Sequence, residues 1–191
     1  MKIFFDYRIF FHQKSGGISR YIINLSKQFD KMNKPNFISS PIHFNTMLKD
    51  YYKDKKDIFG RYIYKKPRFT NSAINYLNIL ITFYNLKKNN PNVYHQTYYG
   101  DFLCEKKIIK VVTVHDLIHE KFHQNYGFDK NWRPKLNSLQ QADKIICVSQ
   151  NTKDDLNKFY DVKNKDVKVI YHGSDHLTSK KNFKEKSKRE N

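Results

Sequence analysis

Acidic residues are scarce in this 191-residue chain: 18 Asp and Glu stand against 36 Lys and Arg, for a formal net charge of +18. Such a surface attracts anions of any kind, whether nucleic acid, phosphorylated ligands or acidic lipid headgroups, and composition alone does not choose among them. Part of the excess is compositional bias, because Leu and Ala are sparse beside abundant Lys, Asn, Ile and Tyr. Cysteine is nearly absent. Cys104 and Cys147 give no disulfide framework, and Cys147, inside an apolar run, reads as a small core residue in a reducing compartment. No apolar run approaches the roughly 20 residues that a membrane span needs. Ile3-Phe4-Phe5 is broken at once by Asp6 and Arg8, which leaves no signal-peptide core. Asp-x-Asp, the usual carboxylate pair for a metal-bound nucleotide diphosphate, occurs nowhere among the fourteen aspartates, and a Walker A lysine motif is missing too. The expectation is a cytoplasmic protein, soluble or attached at the inner membrane surface.

What is present points to one large domain. A hydrophobic content of 39% with 16% aromatics supports a folded core. Three short apolar runs dominate: Ile108 to Val114 leading into His115-Asp116, Lys144 to Val148 leading into Ser149, and Val167 to Tyr171 leading into His172-Gly173. Near-continuous β-branched strands separated by helix-length segments predict a parallel sheet covered by helices on both faces. Such sheets bind ligands at the carboxyl ends of their strands, where His115, Asp116, Ser149 and His172 would lie.

Upstream, Lys2 to Tyr7 reads as a first strand, followed by a polar loop and by Gly16-Gly17 opening a helix with Ile18, Tyr21, Ile22, Leu25 and Phe29 at helical spacing. Asn36 to Ile42 reads as a second strand. Tyr51 to Phe69, with aromatics and lysines interleaved, gives no clear element. It reads as a solvated excursion, with base stacking or a membrane surface as the other uses of that pattern. Asn71 to Lys88 predicts a helix with Ile74, Leu77, Ile81 and Tyr84 on its apolar face, stopped by Asn89-Asn90-Pro91. Val93 to His95 is a short strand, and Asn131 to Ala142 and Thr152 to Tyr160 are crossover helices, the second started with help from Ser149. The tail from Ser179 to Asn191 holds six basic residues against Glu185 and Glu190, which leaves most of the charge on the body.

Several motifs bear on chemistry. Gly16-Gly17 lets backbone approach a ligand, and a following helix amino terminus offers amides to a phosphate, although the full G-x-G-x-x-G spacing is missing. A histidine at a strand end, as His115, donates to a sugar hydroxyl or phosphate oxygen, and Asp116 accepts from hydroxyls or orients it. His119-Glu120-Lys121-Phe122-His123 matches the zinc-peptidase pattern, in which two histidines a turn apart bind Zn²⁺ and the glutamate is the base. Tyr126 stands where the longer pattern has glycine, Asp129 falls at the third-ligand position, and no glutamate follows before Glu185, so this reading is disfavoured.

Taken in order, Gly16-Gly17-Ile18-Ser19-Arg20-Tyr21, Thr113-Val114-His115-Asp116-Leu117-Ile118, Ala142 to Ser149 with Thr152 to Leu156, and Val169 to Asp175 resemble the amino-terminal half of the retaining GT-B glycosyltransferases of family 4. The resemblance implies an α/β, Rossmann-like parallel sheet with helices on both faces, one half of a GT-B fold, over residues 1–175, with 176–191 a basic linker or tail toward a second domain. It implies a sugar moved with retention from a nucleotide diphosphate sugar to a glycan or lipid-linked acceptor, in polysaccharide biosynthesis, with no metal cofactor. By position, His115 matches the histidine near the donor sugar, Gly16 and Gly17 match the glycine loop near the donor phosphates, and Arg20 and Asp116 fall in the acceptor or cleft region. The second domain's Glu-x7-Glu element has no counterpart here. The expectation is therefore a chain inactive alone, completed by a carboxy-terminal GT-B domain in cis or in trans. The rival reading is a non-catalytic basic Rossmann-like module for nucleic acid or other polyanions, with steep salt dependence. Nucleic acid is the less favoured partner, and peripheral membrane contact is a further expectation.

Overall fold

The computed structural model describes residues 1–52, 58–65, 68–104, 107–122 and 132–173. Among them seven strands form one sheet: β1 (Ile3–Phe5), β2 (Asn36–His43), β3 (Ile58–Tyr62), β4 (Val93–Gln96), β5 (Ile109–Val114), β6 (Lys144–Cys147) and β7 (Asp166–Val169). Their order is β3-β2-β1-β4-β5-β6-β7, and every neighbouring pair is parallel. The helices are α1 (Arg8–His12), α2 (Gly17–Lys31), α3 (Thr46–Tyr52), α4 (Asn71–Asn89), α5 (Ile118–Lys121), α6 (Trp132–Gln141) and α7 (Gln150–Phe159).

The doubly covered sheet expected from the apolar runs is what forms. Side chains alternate across a strand, and β1 shows the result. Ile3 and Phe5 enter a cluster with Ile9, Phe10, Ile22, Ile38 and Leu48. Phe4 turns the other way, toward Tyr94, Val112, Leu139 and Leu156. Helices α2 and α3 thus cover one face, and α4, α6 and α7 the other.

Three sequence expectations need correction. The loop after the first strand contains α1, whose Ile9 and Phe10 are core residues. The Tyr51 to Phe69 stretch is no simple solvated excursion, because Ile58–Tyr62 is the edge strand β3; residues 53–57 and 66–67 lie outside the described residues. The third concerns α4. Its limits agree with expectation, and Asn90, in the left-handed region at φ 42°, ends it by donating its N–H to the Leu86 carbonyl. Its orientation does not agree. Leu77 and Tyr84, expected inside, are exposed, whereas Ile74, Asn78, Thr82, Asn85 and Leu86 are buried.

The cause is Pro41 in β2. Proline has no N–H to give a ladder, and the β2–β3 register shifts between Ser40 and Ile42. The strands come so close there that a Cβ on Gly60 (φ 158°) would lie 1.8 Å from the Ser40 carbonyl oxygen. The Ile42 N–H donates instead to Asn78 Oδ1 at 2.8 Å, and Asn78 Nδ2 returns a bond to the Ile42 carbonyl at 3.0 Å. Asn85 Nδ2 donates to Ser39 Oγ at 3.1 Å, and Ser39 Oγ in turn lies 3.3 Å from Thr82 Oγ1. A buried strand irregularity thus requires a polar helix face.

Asn78→Ala removes both bonds to Ile42 and leaves buried backbone groups unsatisfied. Urea unfolding is expected to show a loss of about 1–3 kcal/mol, and a loss below about 0.5 kcal/mol would contradict the repair role.

Candidate functional site

Chain connections run from β1 toward β2 and β3 in one direction, and resume at β4 on β1's other side. The strand order therefore reverses between β1 and β4, and open parallel sheets bind ligands outside the carboxyl ends at such a point. The first residue beyond β1 is Asp6, fully buried. Its Oδ1 accepts from the Thr97 N–H at 3.1 Å and the Thr97 hydroxyl at 2.5 Å, just past the end of β4. Its Oδ2 accepts from the Tyr94 hydroxyl at 2.7 Å and from Arg8 Nη1. Arg8 also donates through Nη2 to the Asp101 carbonyl. Burial, the largest single influence, would lower the guanidinium pKa, but the Asp6 carboxylate together with the Tyr94 and Tyr7 hydroxyls outweighs it and holds the pKa above its ordinary value. The crevice floor is a closed ion pair, not an open pocket.

Next to it, the edge carries a histidine cluster. His95, in β4, places Nε2 2.9 Å from Thr113 Oγ1 in β5. Tyr21 reaches across from α2, its hydroxyl 3.4 Å from the same oxygen. The Tyr21 ring meets the edges of His115 at 5.2 Å and His172 at 5.0 Å, and those two imidazoles stack 5.7 Å apart at 17°. Burial, and then the neighbouring His172, push His115 down to about 4 against the opposing pull of Asp116. Burial, with His115 nearby, does the same to His95. Both rings are neutral at pH 7, each with one nitrogen to donate and one to accept.

The expected site residues divide into two groups. His115 is half-buried at the edge, and Gly17 lies one helical turn ahead of Tyr21 on the same face of α2. A Cβ built on Gly17 meets nothing within 4 Å, so backbone there is open to solvent. Gly16 is more confined, since its Cβ would fall 2.3 Å from the Gln13 side chain, whose Oε1 accepts from the Ser19 N–H. Arg20 is exposed on the first turn of α2. Asp116 is exposed and accepts from the Ile118 N–H at 3.4 Å, at the start of α5. Ser149 caps α7 by accepting the Thr152 N–H at 3.0 Å, a structural role.

Of the zinc-peptidase pattern, His123, Tyr126 and Asp129 lie outside the described residues. Glu120 accepts from Lys135 Nζ at 2.6 Å and the Tyr160 hydroxyl at 2.7 Å, an engagement unsuited to a general base. Sequence reading missed Tyr21, taken as a core residue, and it missed His95 and Thr113. The available signal was polar residues at the ends of buried, apolar strands.

The architecture is that of a doubly wound, Rossmann-like α/β domain. A glycosyltransferase from Rickettsia africae ESF-5 has a similar structure, with TM-score 0.57 and 19% identity over 98% of this chain and 48% of that one. The Candida albicans trehalose-6-phosphate phosphatase N-terminal domain is also similar, with TM-score 0.50 and 9% identity over 98% of this chain and 53% of that one. This chain spans about half the length of each. No protein of curated function matches the sequence. Residues 15–176 match the sequence model of Glycosyltransferase Family 4, and the chain belongs to that family.

Asp6→Ala leaves Arg8 buried without its carboxylate, and unfolding measurements are expected to show a loss of about 3–5 kcal/mol; a loss under 1 kcal/mol would contradict the anchoring role. The histidines predict a pH dependence. Their folded pKa values lie near 4, below the roughly 6.5 of an unfolded histidine, so between those limits the unfolded state binds more protons. Stability is therefore lost as pH falls through that window, by up to about 1.4 kcal/mol per pH unit for the buried His95 and by less for the half-buried His115. Histidine NMR titration checks the cause: His95 and His115 are expected to remain neutral to about pH 5, and midpoints near 6.5 would contradict this.

Proposed function

We propose that this chain is the acceptor-side half of the cleft of a retaining glycosyltransferase, which moves a sugar from a nucleotide diphosphate sugar to a glycan or lipid-linked acceptor at the cytoplasmic face of a membrane. The observation that carries the reading is the convergence of Tyr21, His115 and His172 on the carboxyl edge, one turn from the open backbone at Gly17.

A neutral imidazole suits a sugar hydroxyl, because it donates or accepts without carrying charge into the cleft. His115 takes the donor sugar, held in place by the Tyr21 ring. The first amides of α2, unobstructed at Gly17, face the diphosphate, and Arg20 adds a cation on the same turn. Asp116, at the rim, accepts from the incoming hydroxyl. In the transfer, the bond from the anomeric carbon to the phosphate oxygen breaks and the acceptor oxygen bonds in its place. The acceptor proton leaves with the departing diphosphate. That step needs the leaving charge stabilised and the hydroxyl aligned beside it. This chain supplies one wall, and a carboxy-terminal GT-B domain, in cis or in trans, supplies the other.

The test is transfer measured in a two-domain enzyme carrying this chain as its amino-terminal half. His115→Ala is expected to lower kcat/KM about 10²-fold with the unfolding midpoint preserved. Gly17→Ala, which the free protein accommodates, is expected to weaken donor use in the same assay. Unchanged turnover in both variants would remove this edge from the active site.

A further inference from the structure

The outward face of α4 has no partner among the described residues, and its chemistry is the reverse of an ordinary surface helix. Tyr76, Leu77, Leu80, Phe83 and Tyr84 are all exposed, Leu80 by 46% and Tyr84 by 63%. At 100° per residue they share an arc of about 120°, opposite Asn78, Thr82 and Asn85. Phe69, two residues before the helix, is 99% exposed. Its backbone is held at φ 63°, a region costly for a bulky side chain. The inward positions are committed to the bulge around Pro41, so the helix cannot roll to bury its apolar side. An exposed stripe of this size marks an interaction surface.

Charge selects the partner. From Ile58 to Gly100 the sequence contains Arg61, Lys65, Lys66, Arg68, Lys87 and Lys88 and not one Asp or Glu. Arg68 adjoins Phe69, and Lys87, in the last turn of α4, places Nζ 4.5 Å from the centre of the Phe83 ring, a charge at the carboxyl end of the stripe. Basic side chains flanking an apolar helix face, with tyrosines among the apolar residues, match the acyl–headgroup boundary of an anionic bilayer. A second copy of this chain would bring the same positive charge against it. No described helix is long and apolar enough to cross a membrane, so α4 would lie in the plane of the surface.

We propose that the outward face of α4, together with the exposed Phe69 that precedes it, docks this protein on an anionic lipid bilayer. The proposal does not depend on the glycosyltransferase reading of the carboxyl edge. It is tested by co-sedimenting the 191-residue chain with phosphatidylcholine vesicles, with or without phosphatidylglycerol. Binding is expected only with phosphatidylglycerol, weakening with salt. Leu80→Asp with Phe83→Asp is expected to lower it at least tenfold with the circular dichroism spectrum unchanged, because neither side chain belongs to the buried core. Should that pair perturb folding, Tyr76→Ser with Tyr84→Ser is the milder substitution, and Lys87→Glu with Lys88→Glu tests the charge separately. Binding that survives every α4 substitution would overturn the proposal by assigning it to other basic segments, such as the tail. So would absence of binding at low salt, or a soluble dimer that the Leu80 and Phe83 substitutions dissociate.

Discussion

A single carboxylate fixes the centre of this domain. Strand β1 is only three residues long, too short to hold its neighbours through ladder bonds alone. Asp6, immediately after it, takes both donors of Thr97 and the hydroxyl of Tyr94, and so ties the ends of β1 and β4 together where the strand order reverses. A buried carboxylate is tolerated only if it is paired and fully bonded. Arg8 meets that condition, and in doing so it sets the course of α1 and reaches the Asp101 carbonyl beyond β4. The turn into α2 follows from α1, and with it the position of Tyr21 over the strand ends. The candidate site therefore rests on an ion pair that does not itself face the ligand.

A second constraint acts on the other side of the sheet. Pro41 interrupts the ladder between β2 and β3, and α4 supplies the missing partners from Asn78. A helix that turns amide side chains inward turns its tyrosines, leucines and phenylalanine outward. The surface chemistry of α4 is thus a consequence of a backbone defect inside the sheet.

The parts of this fold that the sequence made legible are those whose signals are local. Strands β5 and β6 announce themselves by β-branched runs, and α7 by the serine that caps it. The glycine pair marks the start of α2 correctly. What could not be read depends on contacts distant in sequence. The periodic residues Ile74, Leu77, Ile81 and Tyr84 satisfy a helical pattern, yet which face is buried was decided by Pro41, more than thirty residues earlier. Helix α1 was hidden because Asp6 and Arg8 look like a polar break until their mutual pairing is known. At the site, His115 was evident from its strand end. Tyr21 was not, since an aromatic at core spacing gives no sign that its ring leaves the core to touch two histidines.

The chain belongs to Glycosyltransferase Family 4 and folds as a doubly wound domain, and the proposed function rests on the donor meeting the edge formed by Gly17, Tyr21 and His115. Chemical-shift mapping of the isotopically labelled chain during titration with nucleotide diphosphate sugars tests that claim most directly. The account predicts saturable shifts confined to the amides of residues 16–21 and the imidazoles of His95, His115 and His172. Saturable shifts centred elsewhere in the domain, with this edge silent, would contradict it.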